Sequence, residues 1–173
     1  ERVATPMRWG MVPSWWKERK FPPHTFNARS EGVGESRMWR AAYRARRCII
    51  PVSGFYEWKA EGAHKRPYHI TRTDGEIMSL AGLWESFESG NESALLSCVI
   101  ITTAANTVME QIHDRMPVII GRHDLDAWLS GRADQEILRP CPPAWIRPLE
   151  VSAYVSKISN QGPACIKPLD STS

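Results

Sequence analysis

Apolar residues along this chain gather in short runs bounded by Gly, Pro, Asp and Ser, a pattern that reads as strands separated by turns. The runs predict strands near 6–12 ("PMRWGMV"), 47–58, 67–73 ("PYHITRT"), 76–84 ("EIMSLAGLW"), 95–102 ("LLSCVIIT"), 116–120 and 146–152. The "TDGE" at 73–76 predicts a tight hairpin joining the third and fourth runs, because Asp-Gly readily takes the positive φ angles such a turn needs. Helical spacing is rarer: it predicts short helices near 36–46, near 104–112 entered through Thr103, and near 124–130 closed by Gly131. In the first of these, Trp39 and Tyr43 share one face, while Arg37, Arg40 and Arg44 follow the same spacing on another. Strands and helices do not alternate regularly, which argues against a doubly wound sheet and favours an α+β or barrel-like arrangement, much of it antiparallel.

A length of 173 residues suits a single domain over 1–173, since one core of that size removes roughly 70% of the unfolded chain's surface from water. No apolar run is long enough to cross a bilayer as a helix, so no membrane role is expected. Cys48, Cys98, Cys141 and Cys165 are scattered without a CxxC pair, which reads as reduced thiols in a cytoplasm. Net charge is only +3, but "RMWRAAYRARR" holds Arg37, Arg40, Arg44, Arg46 and Arg47 with no acidic residue among them, a local basic patch.

Four stretches could carry chemistry. In "GFYEW", residues 54–58, alternation points Phe55 and Glu57 one way and Tyr56 and Trp58 the other, so neither face is plainly solvent. A carboxylate held against aromatics is costly to ionise and suits a proton donor or shuttle. An edge-strand Glu57 paired with Lys59 or Lys65 explains the same sequence. In "IHDRMP", 112–117, His113 stands at a predicted helix C-terminus beside Asp114 and Arg115: an acid or anion contact in one reading, a helix cap with solvated neighbours in the other. In "FNARSE", 26–31, an extended backbone would line up Asn27, Arg29 and Glu31, suited to a polar, anionic ligand or merely to a surface ion pair. In "WGMVPSWW", 9–16, adjacent Trp15 and Trp16 cannot both enter one core, leaving one to stack on a base, whereas Trp9 fits core packing equally well. HExxH, CxxC, GxGxxG, Walker and GxSxG patterns are missing, so the reading assigns no metal and no nucleotide cofactor.

Taken in order, "WGMVPSWW", "FNARSE" followed by Arg37, "RCIIPVSGFYEW" and "IHDRMPVII" make the chain resemble the SOS-response-associated peptidase (SRAP) family. The segments "RPYHI", "AGLW", "VIITTAAN" and "VSKISNQGPACIKPL" extend the resemblance over essentially the whole sequence. The resemblance implies an α+β fold with a mostly antiparallel, partly barrel-like sheet and a few short helices. It also implies recognition of abasic sites in single-stranded DNA and a covalent thiazolidine crosslink, formed by an N-terminal cysteine, that shields the damage. On that resemblance Glu57 is the acid/base that opens the sugar ring, His113 assists at the imine and phosphate, and Asn27 orients the N-terminal residue. Arg29, Arg37 and Arg115 grip phosphates, and Trp15 and Trp16 belong to the DNA-binding surface.

The expected partner is abasic single-stranded DNA. The protein is expected to be a monomer in the cytoplasm, associated with the nucleoid when bound to DNA, with no cofactor. Internal cysteines cannot serve as the nucleophile, because their nitrogens are locked in amides. The expectation is therefore that a few dozen residues bearing the nucleophile precede Glu1, and that the chain as given is crosslinking-deficient. Two other functions fit the same residues: a thiol peptidase or autopeptidase, and a non-catalytic single-strand binding module.

Overall fold

Five consecutive β-branched residues, Val99 to Thr103, make "LLSCVIITTA" the best strand former in the chain, and this segment is the hub of the larger sheet. In the computed structural model, which describes residues 2–18, 20–88, 93–133 and 135–169, the strands run in chain order. They are β1 (Arg8–Trp9), β2 (Asn27–Arg29), β3 (Arg47–Val52), β4 (Phe55–Glu61), β5 (His64–Arg72), β6 (Met78–Phe87), β7 (Leu95–Ala104), β8 (Arg115–Pro117) and β9 (Ile146–Glu150). The α-helices are α1 (Arg40–Ala45) and α2 (Leu125–Leu129), and the other helical turns are 3-10. The fold is α+β, mostly strand, with one curled, partly barrel-like sheet and one antiparallel sheet.

Two compact units interleave in sequence: Glu1–Ile50 with Ser79–Thr103 and Pro117–Arg139, and Pro51–Met78 with Ala104–Met116 and Pro140–Ser173. The first holds most of the sheet ordered β1-β7-β6-β3. β6 runs antiparallel to β7, with Trp84 opposite Cys98. β1 and β2 lie end to end along the other edge of β7, both parallel to it, with Trp9 opposite Cys98 and Ala28 opposite Ile101. The predicted strand over 6–12 shrinks to two residues because Gly10, at φ +103°, turns the chain away; a Cβ there would sit 2.9 Å from the Arg8 guanidinium and 3.2 Å from the Phe26 ring. The core behind this sheet packs Val99, Ile101, Leu83 and Met11 against the fully buried Trp128, whose indole N–H donates to the Cys48 carbonyl at 2.9 Å. Trp39 and Tyr43 pack on it as the predicted helical face requires.

The second unit is built on the antiparallel sheet β4-β5-β9, in which Glu57 stands opposite Tyr68 and Tyr68 opposite Glu150. Three expectations change here. The run 47–58 is two strands, not one, broken at Ser53–Gly54, and its halves belong to different sheets. "TDGE" makes the tight turn, with Gly75 at φ +77° and the Asp74 carboxylate on the Arg72 guanidinium, but not a hairpin: β5 pairs β4 and β9, whereas β6 pairs β7 and β3. The helix expected over 104–112 is only a 3-10 turn at Met109–Gln111. β7 runs on to Ala104, and Asn106 rather than Thr103 starts the turn, its Oδ1 accepting from Val108 N and Met109 N at 3.2 and 3.0 Å.

Candidate functional site

In the second unit, strand register puts Phe55, Glu57 and Lys59 on one face of the small sheet, joined there by Tyr68, Ile70, Pro148 and Glu150 from the strands alongside. Tyr56 and Trp58 occupy the opposite face, where Tyr56 meets His69 with ring centroids 5.1 Å apart and the Trp58 indole donates to Ser156 Oγ at 3.0 Å. Two of the three aromatics that surround Glu57 in sequence are thus not its neighbours on the sheet. Gly54 owes its place to space: a Cβ would lie 2.6 Å from the Ile70 carbonyl and 2.4 Å from the His69 ring.

Glu57 is half-buried on an edge strand. The ion pair offered by the alternative reading does not form among the described residues. Lys65 pairs in register with Ala60 on the other face, and Lys59 lies 3.9 Å from Glu61 instead. Among the described residues the carboxylate accepts only the Trp58 backbone N–H, at 3.1 Å. Beside it, Tyr68 donates its hydroxyl to Glu150 at 3.3 Å, and Glu150 is clamped by Arg66, which also reaches Glu61 at 3.2 Å. Burial, and then the Glu150 charge, push the Tyr68 phenol up, so it stays protonated and able to donate.

Val108, Gln111 and Ile112 face Lys59, Tyr68 and Pro148 across a half-open cavity of about 280 Å³ on this side of the small sheet. His113 directly follows Ile112, so the register residues around Glu57 and the segment leading to His113 border one cavity. That segment is held at both ends. His113 N donates to the Met109 carbonyl at 2.8 Å, Ala105 N donates to the Asp114 carbonyl at 2.9 Å, and the Asn106 amide donates to the Cys141 carbonyl at 3.0 Å.

The His113 ring is 41% exposed, and its Nδ1 has two possible partners: it accepts the Arg115 backbone N–H at 3.0 Å and lies 3.1 Å from an Asp114 oxygen. The first contact requires an unprotonated Nδ1 and leaves the proton on Nε2; the second is a hydrogen bond only when Nδ1 is protonated. Arg115 itself lies half-buried on β8.

The remaining predicted site residues belong to the first unit. Asn27 and Arg29 point outward from β2 on either side of buried Ala28, as the alternation requires, but Glu31 has left the strand for a 3-10 turn. Arg37 is exposed and stacks its guanidinium 4.9 Å from the Trp15 ring centroid; Trp15 in turn lies 6.0 Å from Trp16. The structure thus gathers three of the residues assigned to DNA binding into one cation and aromatic cluster.

The Arg-rich stretch divides. Arg40 and Arg44 are exposed with Arg37, but Arg46 is ion-paired with buried Glu85 at 2.7 Å, and Arg47 is packed between Tyr43 and Trp128 at 4.4 and 4.6 Å. Trp9 is not in the core: it is 53% exposed and meets Phe26 edge-on at 5.3 Å. Exposed Phe21 carries the Arg8 guanidinium at 4.1 Å. Arg8, Phe21 and Phe26 escaped the sequence reading. Their one signal was a pair of aromatics flanking prolines in "FPPHTF", outside any predicted element.

Among the described residues, no group of three or more His, Cys, Asp or Glu side chains could hold a metal, and no helix is long and apolar enough to cross a membrane.

Compared with known proteins, residues 1–158 match the sequence family described as SOS response associated peptidase (SRAP). The chain belongs to the SRAP family. Among SRAP relatives, it is 35% identical over 167 residues to the abasic site processing protein YoqW of Bacillus subtilis, covering 93% of this chain and 75% of that one. It is 34% identical over 174 residues to abasic site processing protein YedK of Escherichia coli, covering 95% and 74%. Abasic site processing protein HMCES of Xenopus tropicalis is 30% identical over 194 residues, covering 96% of this chain and 57% of its own. A crystal structure of a protein from Bacteroides thetaiotaomicron superposes with a TM-score of 0.86 at 26% identity, over 94% of this chain and 75% of that one. A second, from Bordetella bronchiseptica, gives 0.80 at 28%, over 88% and 79%. The SRAP fold expected from the motifs is the fold observed.

Proposed function

We propose that this protein recognises abasic sites in single-stranded DNA and captures them covalently. The observation that carries the reading is the kinship with abasic site processing proteins of bacteria and a vertebrate at 30–35% identity over nearly the whole chain. The second unit supports it: Glu57 is a half-buried carboxylate with no ion-pair partner among the described residues, and its register neighbour Tyr68 lines a cavity together with Ile112, the residue before His113, a setting that suits a proton-transfer group. So does the first unit, where Arg37, Trp15 and Trp16 offer a cation for phosphate and rings for bases.

In this reading the nucleophile is the amino-terminal cysteine of the intact protein. Glu57 gives a proton to the ring oxygen of the abasic sugar as the C1–O bond of the ring breaks, and the C1 hydroxyl loses its proton back to the carboxylate as it becomes the aldehyde. The cysteine α-amine adds to that aldehyde and water departs, leaving an imine. The thiolate then adds to the imine carbon, the imine nitrogen takes up a proton, and a thiazolidine closes. His113 assists at the imine and the adjoining phosphate, Asn27 orients the cysteine, and Arg29 and Arg115 hold phosphates.

The test is to incubate the intact protein with single-stranded DNA carrying one abasic site and to look for an adduct on a denaturing gel, together with the sequence of its mature amino terminus. An amino-terminal cysteine and an adduct are expected. Binding without an adduct would leave a single-strand binding module. The family description favours a second reading, a thiol peptidase in which Glu57, His113 and Asn27 serve an acyl transfer, with His113 as base and the Asn27 amide near the oxyanion. Turnover of a peptide library without DNA would support it.

A further inference from the structure

The cavity over the small sheet has a composition that the chemistry above does not use. Its floor is Tyr68, which register places directly opposite Glu57, so that their Cβ atoms are neighbours on one face. Pro148 and Ile112 add apolar wall, while Lys59 supplies an ammonium and the exposed Gln111 an amide. The phenol ring is fixed before any ligand arrives, because its hydroxyl is bonded to Glu150 and Glu150 to Arg66. At about 280 Å³ the cavity is near the lower end of the roughly 300–1,000 Å³ typical of ligand pockets, room for one planar fragment and not for a whole cofactor.

We propose that this cavity is a subsite for the nucleotide next to the abasic residue, with its base against Tyr68, its edge on Gln111 and its phosphate near Lys59. Four features point to that occupant. A preset ring gives a stacking surface at little ordering cost. The Gln111 amide both donates and accepts, so it can meet any base without choosing one. Lys59 matches the charge of the backbone. Tyr68 opposite Glu57, and Ile112 just before His113, put the cavity beside the two groups assigned to the reacting sugar. The subsite rests on the proposed function and deepens it.

The experiment measures adduct formation by the intact protein on three oligonucleotides. One has bases on both sides of the abasic site; the others carry a base-free tetrahydrofuran residue on the 5′ or the 3′ side, which keeps the phosphate and removes the base. One of the two replacements should slow the wild-type protein about tenfold, the worth of one base on one aromatic ring. Tyr68→Ala should be slower on the fully based strand by a similar factor and indifferent to that replacement. Gln111→Ala, a change at an exposed side chain, should show a smaller loss of the same kind, and it serves if Tyr68→Ala fails to fold.

Wild-type rates unaffected by either replacement, or a penalty that survives in both variants, would overturn the subsite while leaving the activity intact. A Tyr68→Ala defect confined to processing of the protein's own amino terminus, read by mass spectrometry, would seat a peptide there and overturn it too. Failure of every oligonucleotide to form an adduct would remove the proposed activity and the subsite with it.

Discussion

Glu57 combines partial burial, an edge-strand position and a carboxylate whose one hydrogen-bond partner among the described residues is a neighbouring backbone N–H. A structural carboxylate in that setting would gain from a cation, and Lys59 lies 3.9 Å from Glu61 rather than on Glu57. If Glu57 has the proposed role, Glu57→Gln keeps the shape and removes the proton transfer, so it should slow adduct formation by about 100-fold or more while leaving DNA binding close to wild type, measured by quenched-flow gels and fluorescence anisotropy. The internal thiols behave oppositely to a nucleophile. Burial, with some repulsion from Cys98, pushes Cys48 up to about 12, and burial pushes Cys141 up to about 11. Both should resist alkylation at pH 8 in the native protein and react once it is unfolded. Because their folded values lie above the usual 9, the stability they contribute is intact below pH 9 and lost as pH rises toward 11 and 12. The urea midpoint should therefore fall on going from pH 8 to pH 10.5.

Elements are held by a few side chains whose roles the sequence disguised. Arg46 looked like one more member of a basic patch, yet it neutralises Glu85, whose side chain is only 8% exposed. Removing it strands a buried charge, so Arg46→Ala should cost about 3–5 kcal/mol in denaturant unfolding, while Arg40→Ala should cost almost nothing. Asn106 ties the start of the 109–111 turn to the Cys141 loop with three hydrogen bonds from one buried amide. Asn106→Ala should cost about 2 kcal/mol and loosen the segment ending at His113, so its loss of adduct formation should exceed its loss of stability when both are measured at the same temperature. The second effect distinguishes a positioning role from a merely structural one.

At the scale of the whole molecule, net charge says little, since +3 is spread over 173 residues and part of the arginine content is structural. What should govern DNA affinity is the exposed arginines. Plotted as log affinity against log salt, single-strand binding should lose about 0.7 in slope in Arg37→Ala. Arg47→Ala should leave the slope unchanged and lower thermal stability, because its guanidinium packs between Tyr43 and Trp128 and donates to the Ala133 carbonyl at 3.0 Å. Both variants remove one positive charge, so equal slopes would contradict the assignment.

The α+β character and a strand over 95–102 were legible in the sequence, though its place as the hub of the larger sheet was not. The outward pairing of Asn27 with Arg29 and the two faces of "GFYEW" were legible too. All of these follow from alternation and turn chemistry, which act between residues a few positions apart. The motif order also carried the family. Pairing was not legible. "TDGE" specifies a turn but cannot say whether the strands it joins pair with each other; β5 took β4 and β9, and β6 took β7 and β3. Nor could spacing separate Arg37, stacked in solvent on Trp15, from Arg46 and Arg47, enclosed by Glu85, Tyr43 and Trp128. Those choices depend on which distant side chains share a face or a core. The free energy of such burial is set by partners tens of residues away, and only the folded chain brings them together.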